Sequence, residues 1–231
     1  MIKAVFFDLY QTLVRYDPPR EETEAKVLKE LGINVTPEGL VRPIIAADEF
    51  IYNEIARRAL GDRSQEEKIA LYLQYQEILL REAGIECDQK TIYKLLGAMQ
   101  QAKMELILFD DVAPALDGLK GKGLTLGLIS NVEQDMTGTL TRLKLTDWLT
   151  VIVTSQDAGA GKPRPEIFRY ALKKAGIEAA EAIYVGDQHQ VDVIGSRGAG
   201  MKAILIDRGD YYQDITDCPR IKSLTEVMGY L

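Results

Sequence analysis

Four short stretches of this sequence hold side chains of the kinds that do chemistry. Asp8 closes an apolar run over residues 2–7, and an aspartate at the carboxyl end of a strand serves as a nucleophile, a metal ligand or a turn cap. Ser130-Asn131 follows the apolar Leu126-Gly127-Leu128-Ile129; its hydroxyl and amide suit either an anion or the first turn of the next helix. Lys162 sits in Gly159-Ala160-Gly161-Lys162-Pro163-Arg164-Pro165-Glu166. The proline after it, and the missing upstream glycine, rule out a P-loop, so on its own it reads as a solvated lysine. Gly186-Asp187 and Asp192 follow the apolar Tyr184-Val185. Two carboxylates on one loop suit an oxygen-seeking cation such as Mg2+, although each alone could cap a helix.

The composition narrows the chemistry. Among 231 residues, 46% are apolar and 27% charged, the profile of an ordinary soluble globular protein. A net charge of −7 argues against a general nucleic-acid or anionic-membrane surface. The single histidine, His189, excludes any two-histidine metal motif, and two cysteines, Cys87 and Cys218, cannot form a four-thiolate site. Their scarcity points to a reducing, cytoplasmic setting. Asp8 comes too early for a signal-peptide core, and no apolar run approaches the ~18 residues of a membrane span. Carboxylates are what remain to carry a reaction.

The apolar patterning shows what must position these groups. Continuous apolar runs at residues 2–7, 124–129, 151–154, 183–185 and 203–206 read as strands buried on both faces. Helical stretches at 132–143, 165–175 and 191–199 alternate with them, and such alternation implies parallel βαβ units. Between about Pro18 and Met104 the texture is helical instead, with Glu21, Glu22 and Glu24 early in the first helix and apolar spacing of three and four over 48–60 and 66–83. The expected fold is therefore α/β: a doubly wound parallel, Rossmann-like sheet from residues 1–15 and 106–231, interrupted by a bundle of about four helices over 16–105. In such sheets ligands bind beyond the carboxyl ends of the strands, which is where Asp8, Ser130-Asn131, Ser155 and Gly186-Asp187 fall.

Taken together, in this order and spacing, these stretches resemble the four motifs of the haloacid dehalogenase superfamily, a group of aspartate-nucleophile hydrolases that includes many phosphatases. Asp8 and Thr12 match the first motif, Ser130 the second, Lys162 the third, and Gly186-Asp187 with Asp192 the fourth. The resemblance spans essentially the whole chain, and the helical insertion is similar to the cap that closes over the site in many members. It implies that Asp8 attacks the substrate and forms a covalent aspartyl intermediate. It also implies Mg2+ held by Asp8, the main-chain carbonyl of Tyr10, Asp187 and, directly or through water, Asp192. Ser130 and Lys162 would bind the transferring oxyanion, and Asn131 would orient substrate or cap the following turn. The expected substrate is a small phosphorylated metabolite, and the expected assembly a monomer or homodimer without nucleic-acid or membrane partners.

One position departs from the pattern. Most phosphatase members carry an acid/base aspartate two residues after the nucleophile, and here that residue is Tyr10. A phenol of pKa ~10 makes a poor base near neutrality, and losing a positioned acid/base costs roughly 10²–10⁴-fold. Three readings follow: a phosphatase with a weakened or relocated acid/base, a metal-independent 2-haloacid dehalogenase, or a non-catalytic module that binds Mg2+ and anions. The dehalogenases also have tyrosine at this position and use a cap arginine, for which Arg42 is a candidate. Against them stand Asp187 and Asp192, which replace a Ser-x-Asn pattern, and Phe168, where those enzymes usually have tyrosine. His189 reads as a solvated loop residue or a substitute proton carrier.

Overall fold

The computed structural model describes residues 1–132 and 136–231. It divides into two compact units, one of Met1–Arg15 with Ile107–Leu231 and the other Tyr16–Leu106. Along the chain the elements are β1 (Ala4–Phe7), β2 (Val14–Asp17), α1 (Arg20–Glu30), α2 (Pro37–Arg57), α3 (Gln65–Glu82), α4 (Gln89–Gln101), β3 (Glu105–Leu108) and α5 (Val112–Gly121). They continue with β4 (Thr125–Ser130), α6 (Thr137–Arg142), β5 (Val151–Thr154), α7 (Ser155–Ala158), α8 (Pro165–Ala175), β6 (Ala182–Gly186), α9 (Gly195–Gly198), β7 (Lys202–Ile206) and β8 (Arg220–Ile221). Among the described residues, no helix is long and apolar enough to cross a membrane.

The first unit is built on a six-stranded sheet in the order β5-β4-β1-β6-β7-β8, with each pair of neighbouring strands parallel. β1 lies in the middle, with Phe7 beside Leu128 of β4 and Val185 of β6. From β1 the chain builds outward through β4 and β5, then returns to the other side for β6, β7 and β8. The reversal flanks β1, so the carboxyl ends of β4, β1 and β6 surround the crevice where a doubly wound sheet takes its ligand. Each residue of β1 is buried, which is why its sequence is apolar throughout rather than alternating. Ala4, Phe6, Ala182 and Tyr184 share a core with Ile167, Phe168, Ala171 and Leu172 of α8.

The second unit is a four-helix arrangement with its own core, in which Leu28, Leu40, Ala47, Leu79 and Leu95 are fully buried. Its helices start on local signals. Thr36 accepts from the Gly39 amide ahead of Pro37, Ser64 and Glu67 form a capping box, and Asp88 accepts from the Thr91 amide at 2.8 Å.

Several elements depart from the sequence reading. The helix expected over 48–60 begins at Pro37 and runs through Pro43. Burial of Pro43, Ile44, Ala47 and Ile51 along one face outweighs the lost backbone bond. The helix expected over 191–199 is a π turn, His189–Ile194, followed by the short α9. Of the stretch 132–143, Thr137–Arg142 is helical and 133–135 lie outside the described residues. β2, β3, α5 and β8 carry no clear sequence signal, and Leu224–Tyr230 form a 3-10 segment.

Candidate active site

The candidate residues converge on the carboxyl ends of the central strands. Asp8 directly follows β1, and its amide donates to the Val185 carbonyl of β6 at 2.9 Å, which fixes the start of the loop. That loop turns back at once: the amides of Leu13 and Val14 both donate to the Leu9 carbonyl at 2.9 Å, and Gln11 adopts a left-handed φ of 57°. Tyr10 is half-buried within it and bridges to Val14. Thr12 is fully buried and its hydroxyl has no hydrogen-bond partner, the sort of orphaned group that a water or ligand satisfies. Ser130, the last residue of β4, is buried beside this loop's strand.

Lys162 is not the solvated lysine that its local sequence suggests. It is 3% exposed, and its three donors are all engaged: Asp8 Oδ1 at 2.5 Å, Asp192 Oδ1 at 2.7 Å and the Tyr184 hydroxyl at 3.0 Å. Its main chain is held by Asn131, whose Nδ2 donates to the Lys162 carbonyl at 2.9 Å and whose Oδ1 accepts from the Lys162 amide at 2.6 Å. Each end of the Asn131 amide thus makes one hydrogen bond that places Lys162, and its second N–H and second lone pair remain for the following turn or a substrate.

Asp192 is buried behind Gly186. A Cβ on Gly186 would lie 2.4 Å from the Asp192 carboxyl carbon, so the glycine of this motif is the space that lets the carboxylate approach. Asp192 Oδ2 accepts from the Gln188 amide at 3.0 Å, and the Gln188 side chain donates to Asp187 Oδ2 at 3.0 Å. Asp192 therefore faces Lys162 with one oxygen and its own turn with the other. The π turn that follows β6 makes this possible, because it brings residues 188 and 192 together.

Asp8, Asp187 and Asp192 each offer a carboxylate oxygen, and these lie within 4.8 Å of one another. The charge of three carboxylates against one ammonium shows in their protonation. Burial pushes the Asp8 carboxyl up to about 6, against the pull of Lys162. Burial, followed by repulsion from Asp8 and Asp192, holds Asp187 well above the usual carboxylate range. Burial works to lower Lys162, but Asp192 and Asp8 outweigh it and raise its pKa above the ordinary value. An all-oxygen donor set with surplus negative charge is the chemistry that Mg2+ takes, so the residues present fit that ion.

Three contributors were not singled out from the sequence. Tyr184 is fully buried and its hydroxyl, besides accepting from Lys162, lies 3.1 Å from the Ile129 carbonyl. Gln188 braces both carboxylates of its motif. Arg208 donates to the Thr12 carbonyl at 2.7 Å and to Asp111 Oδ2 at 2.8 Å, and its guanidinium stacks 3.8 Å over the Phe109 ring. Asp111 in turn accepts from Ser223 and the Leu224 amide, so the loop after β1 is anchored to the segment after β8.

With Asp8, Lys162 and the paired carboxylates at one sheet end, comparison with known proteins decides the family. Residues 5–206 match the family model of haloacid dehalogenase-like hydrolases. The chain belongs to that family. It is 29% identical over 213 residues to a glyceraldehyde 3-phosphate phosphatase of Methanopyrus kandleri, covering 91% of this chain and 86% of that one. Among solved structures it resembles a HAD phosphatase from Thermococcus onnurineus at 25% identity (TM-score 0.58, 99% of this chain and 97% of that one). It equally resembles a 2-haloacid dehalogenase from Pseudomonas syringae pv. Tomato DC3000 at 26% identity (TM-score 0.56, 99% and 97%).

Proposed function

We propose that this hydrolase is a Mg2+-dependent phosphatase that acts on a small phosphorylated metabolite through an aspartyl-phosphate at Asp8. The observation that carries the reading is the set of three carboxylates within 4.8 Å of one another, against the one ammonium of Lys162. In this reading Asp8, the Tyr10 carbonyl and Asp187 would hold the ion, and Asp192 would be a further ligand or act through a bound water. Bound Mg2+ would supply charge compensation for the phosphoryl group and for Asp8. Asp8 attacks phosphorus in line with the leaving oxygen; the P–O bond to that oxygen breaks and its electron pair leaves with it. The fixed charge of Lys162 and the Ser130 hydroxyl steady the oxyanion, and the orphaned Thr12 hydroxyl is a further donor on the same loop as Asp8. Water then attacks the aspartyl-phosphate and releases inorganic phosphate and Asp8.

Tyr10 bears unequally on the two steps. A leaving group that departs readily as an anion needs little proton donation, whereas water attack needs a base that a phenol does not supply. Aryl and acyl phosphates are therefore the favoured substrates, and the second step is the slow one. Tyr10 also supports a second reading, the 2-haloacid dehalogenase, with Arg42 as its anion-binding arginine, and the Pseudomonas syringae likeness agrees with it. Asp187 and Asp192 weigh against it, because a metal-free displacement at carbon gains nothing from added negative charge near its nucleophile. The helical unit, read as the family's cap, is where substrate choice is set.

The test is a broad panel of phosphate esters with and without chelator, run beside 2-chloropropionate. Mg2+-dependent release of phosphate from an aryl phosphate is expected. Chelator-indifferent halide release, with no phosphatase activity, would replace this reading with the second.

A further inference from the structure

One cluster outside the aspartate site gathers three different metal-ligand types. His189 lies in the π turn after β6, and Asp217 and Cys218 lie in the segment that leads into β8. His189 Nε2 is 2.8 Å from Asp217 Oδ1, and one ligand atom from each residue, the Cys218 sulfur included, lies within 4.8 Å of the others. Tetrahedral zinc sites, with metal–ligand bonds of ~2.0–2.3 Å, need ligand separations of roughly 3.3–3.6 Å. A small adjustment of these side chains closes the set.

The surroundings are organised for this use. Arg197 Nη1 donates to Asp217 Oδ2 at 2.9 Å and Nη2 to the Asp217 carbonyl at 2.5 Å. It fixes the carboxylate from behind and leaves Oδ1 turned towards His189, as outer partners of metal ligands do. Cys218 backs onto the apolar group of Val193, Ala203 and Leu205, which gives the sulfur one dry side. The Asp217 side chain is half exposed and that of His189 17% exposed, so the approach is open to solvent. Burial, and after it the charge of Asp217, push the Cys218 thiol up, so an entering ion must displace its proton.

From this geometry we infer that His189, Asp217 and Cys218 form a second metal site, for one borderline transition-metal ion of the Zn2+ class, with a fourth position open to water. Ligand softness separates it from the aspartate site: imidazole and thiolate select Zn2+ or Co2+, whereas an all-oxygen set suits Mg2+. Binding replaces the His189–Asp217 hydrogen bond with bonds from both residues to the metal, and the thiol proton leaves to solvent. Because His189 lies between Asp187 and Asp192, the ion ties the turn that carries both carboxylates to the segment before β8.

Cobalt(II) is the probe, added to the full-length, reduced protein in excess Mg2+. One equivalent should produce a thiolate-to-cobalt charge-transfer band in the near ultraviolet, which one equivalent of Zn2+ bleaches. The aspartate site holds no sulfur and cannot give this band, so the result stands apart from whether the protein is a phosphatase. The band should persist in Cys87→Ser, vanish in Cys218→Ser and in Cys218→Ala, and in His189→Gln need about tenfold or more Co2+ to form, with circular dichroism checking that each variant folds. A wild-type protein without the band, or a band that survives loss of Cys218, overturns the inference.

Discussion

Each unit of the molecule buries a cluster of charges, and the two are assembled on different terms. In the helical unit, Arg20 meets Asp48 through two bonds of 2.8 and 2.9 Å, and the Tyr75 hydroxyl joins them, donating to Asp48 at 3.1 Å. The remaining acid, Glu24, is buried, and burial pushes it up to about 7 even though Arg20 pulls it down. It can shed its charge by keeping its proton, so the cluster closes on itself. In the sheet unit, Lys162 is shared between Asp8 and Asp192 while Asp187 stands as a third carboxylate. Burial raises Asp8 and Asp187 there too, but a proton on either would occupy an oxygen that the proposed reaction needs. A balanced buried cluster reads as structure; an unbalanced one, at the switch point of a doubly wound sheet, reads as a place kept for a cation and an anionic substrate.

The comparison can be broken by removing one member from each cluster. Asp8→Asn should abolish turnover, by about 10⁴-fold or more, while leaving the fold intact in a thermal melt; residual hydrolysis near wild type would remove Asp8 from the mechanism. Arg20→Met should do the reverse in kind, costing about 3–5 kcal/mol of stability by stranding Asp48. Its kcat on an aryl phosphate should stay close to wild type wherever the variant is folded, and a selective loss of kcat would mean that the helical cluster is catalytic after all.

Tyr10→Asp restores a carboxylate where the family's phosphatases have one. It should raise steady-state phosphatase turnover by roughly 10²-fold, and an unchanged kcat would show that the missing base lies elsewhere. The smallest effect belongs to Glu24→Gln. Glu24 holds its proton in the folded chain up to about pH 7 but loses it near 4.5 when unfolded. Its favourable contribution is therefore complete below about pH 4.5 and lost as pH rises through 7. Denaturant melts should find Glu24→Gln equal to wild type at low pH and roughly 2–3 kcal/mol more stable at high pH; a difference independent of pH would refute the assignment.

What could be seen in the sequence divides along the same physical line. α8 is legible at both ends because local signals bracket it, with Pro165 at its first position and Gly176 just past its end at a φ of 67°. The buried strands show as continuous apolar runs, and Asp8, Ser130 and Asp187 stand out because each closes or follows such a run. Features fixed by distant partners leave no such mark. Tyr184 looks like one more core residue of β6, and Arg208 lies 196 positions from the Thr12 carbonyl it holds. Lys162 reads as solvated because its burial depends on Asp8, 154 residues earlier. Asn131 reads in the sequence as a cap or a substrate contact, and its bonds to the Lys162 backbone, 31 residues on, leave no local mark.

The most direct measurement is a rapid-quench single turnover with an aryl phosphate, followed by mass analysis of the peptide that contains Asp8. If hydrolysis proceeds through an aspartyl-phosphate whose breakdown lacks a base at Tyr10, that peptide should carry one phosphoryl group. The adduct should accumulate in Mg2+, fail to form in chelator or in Asp8→Asn, and diminish in Tyr10→Asp. An unmodified Asp8 peptide during active turnover would contradict the account, as would a Mg2+-independent ester formed at Asp8 from 2-chloropropionate.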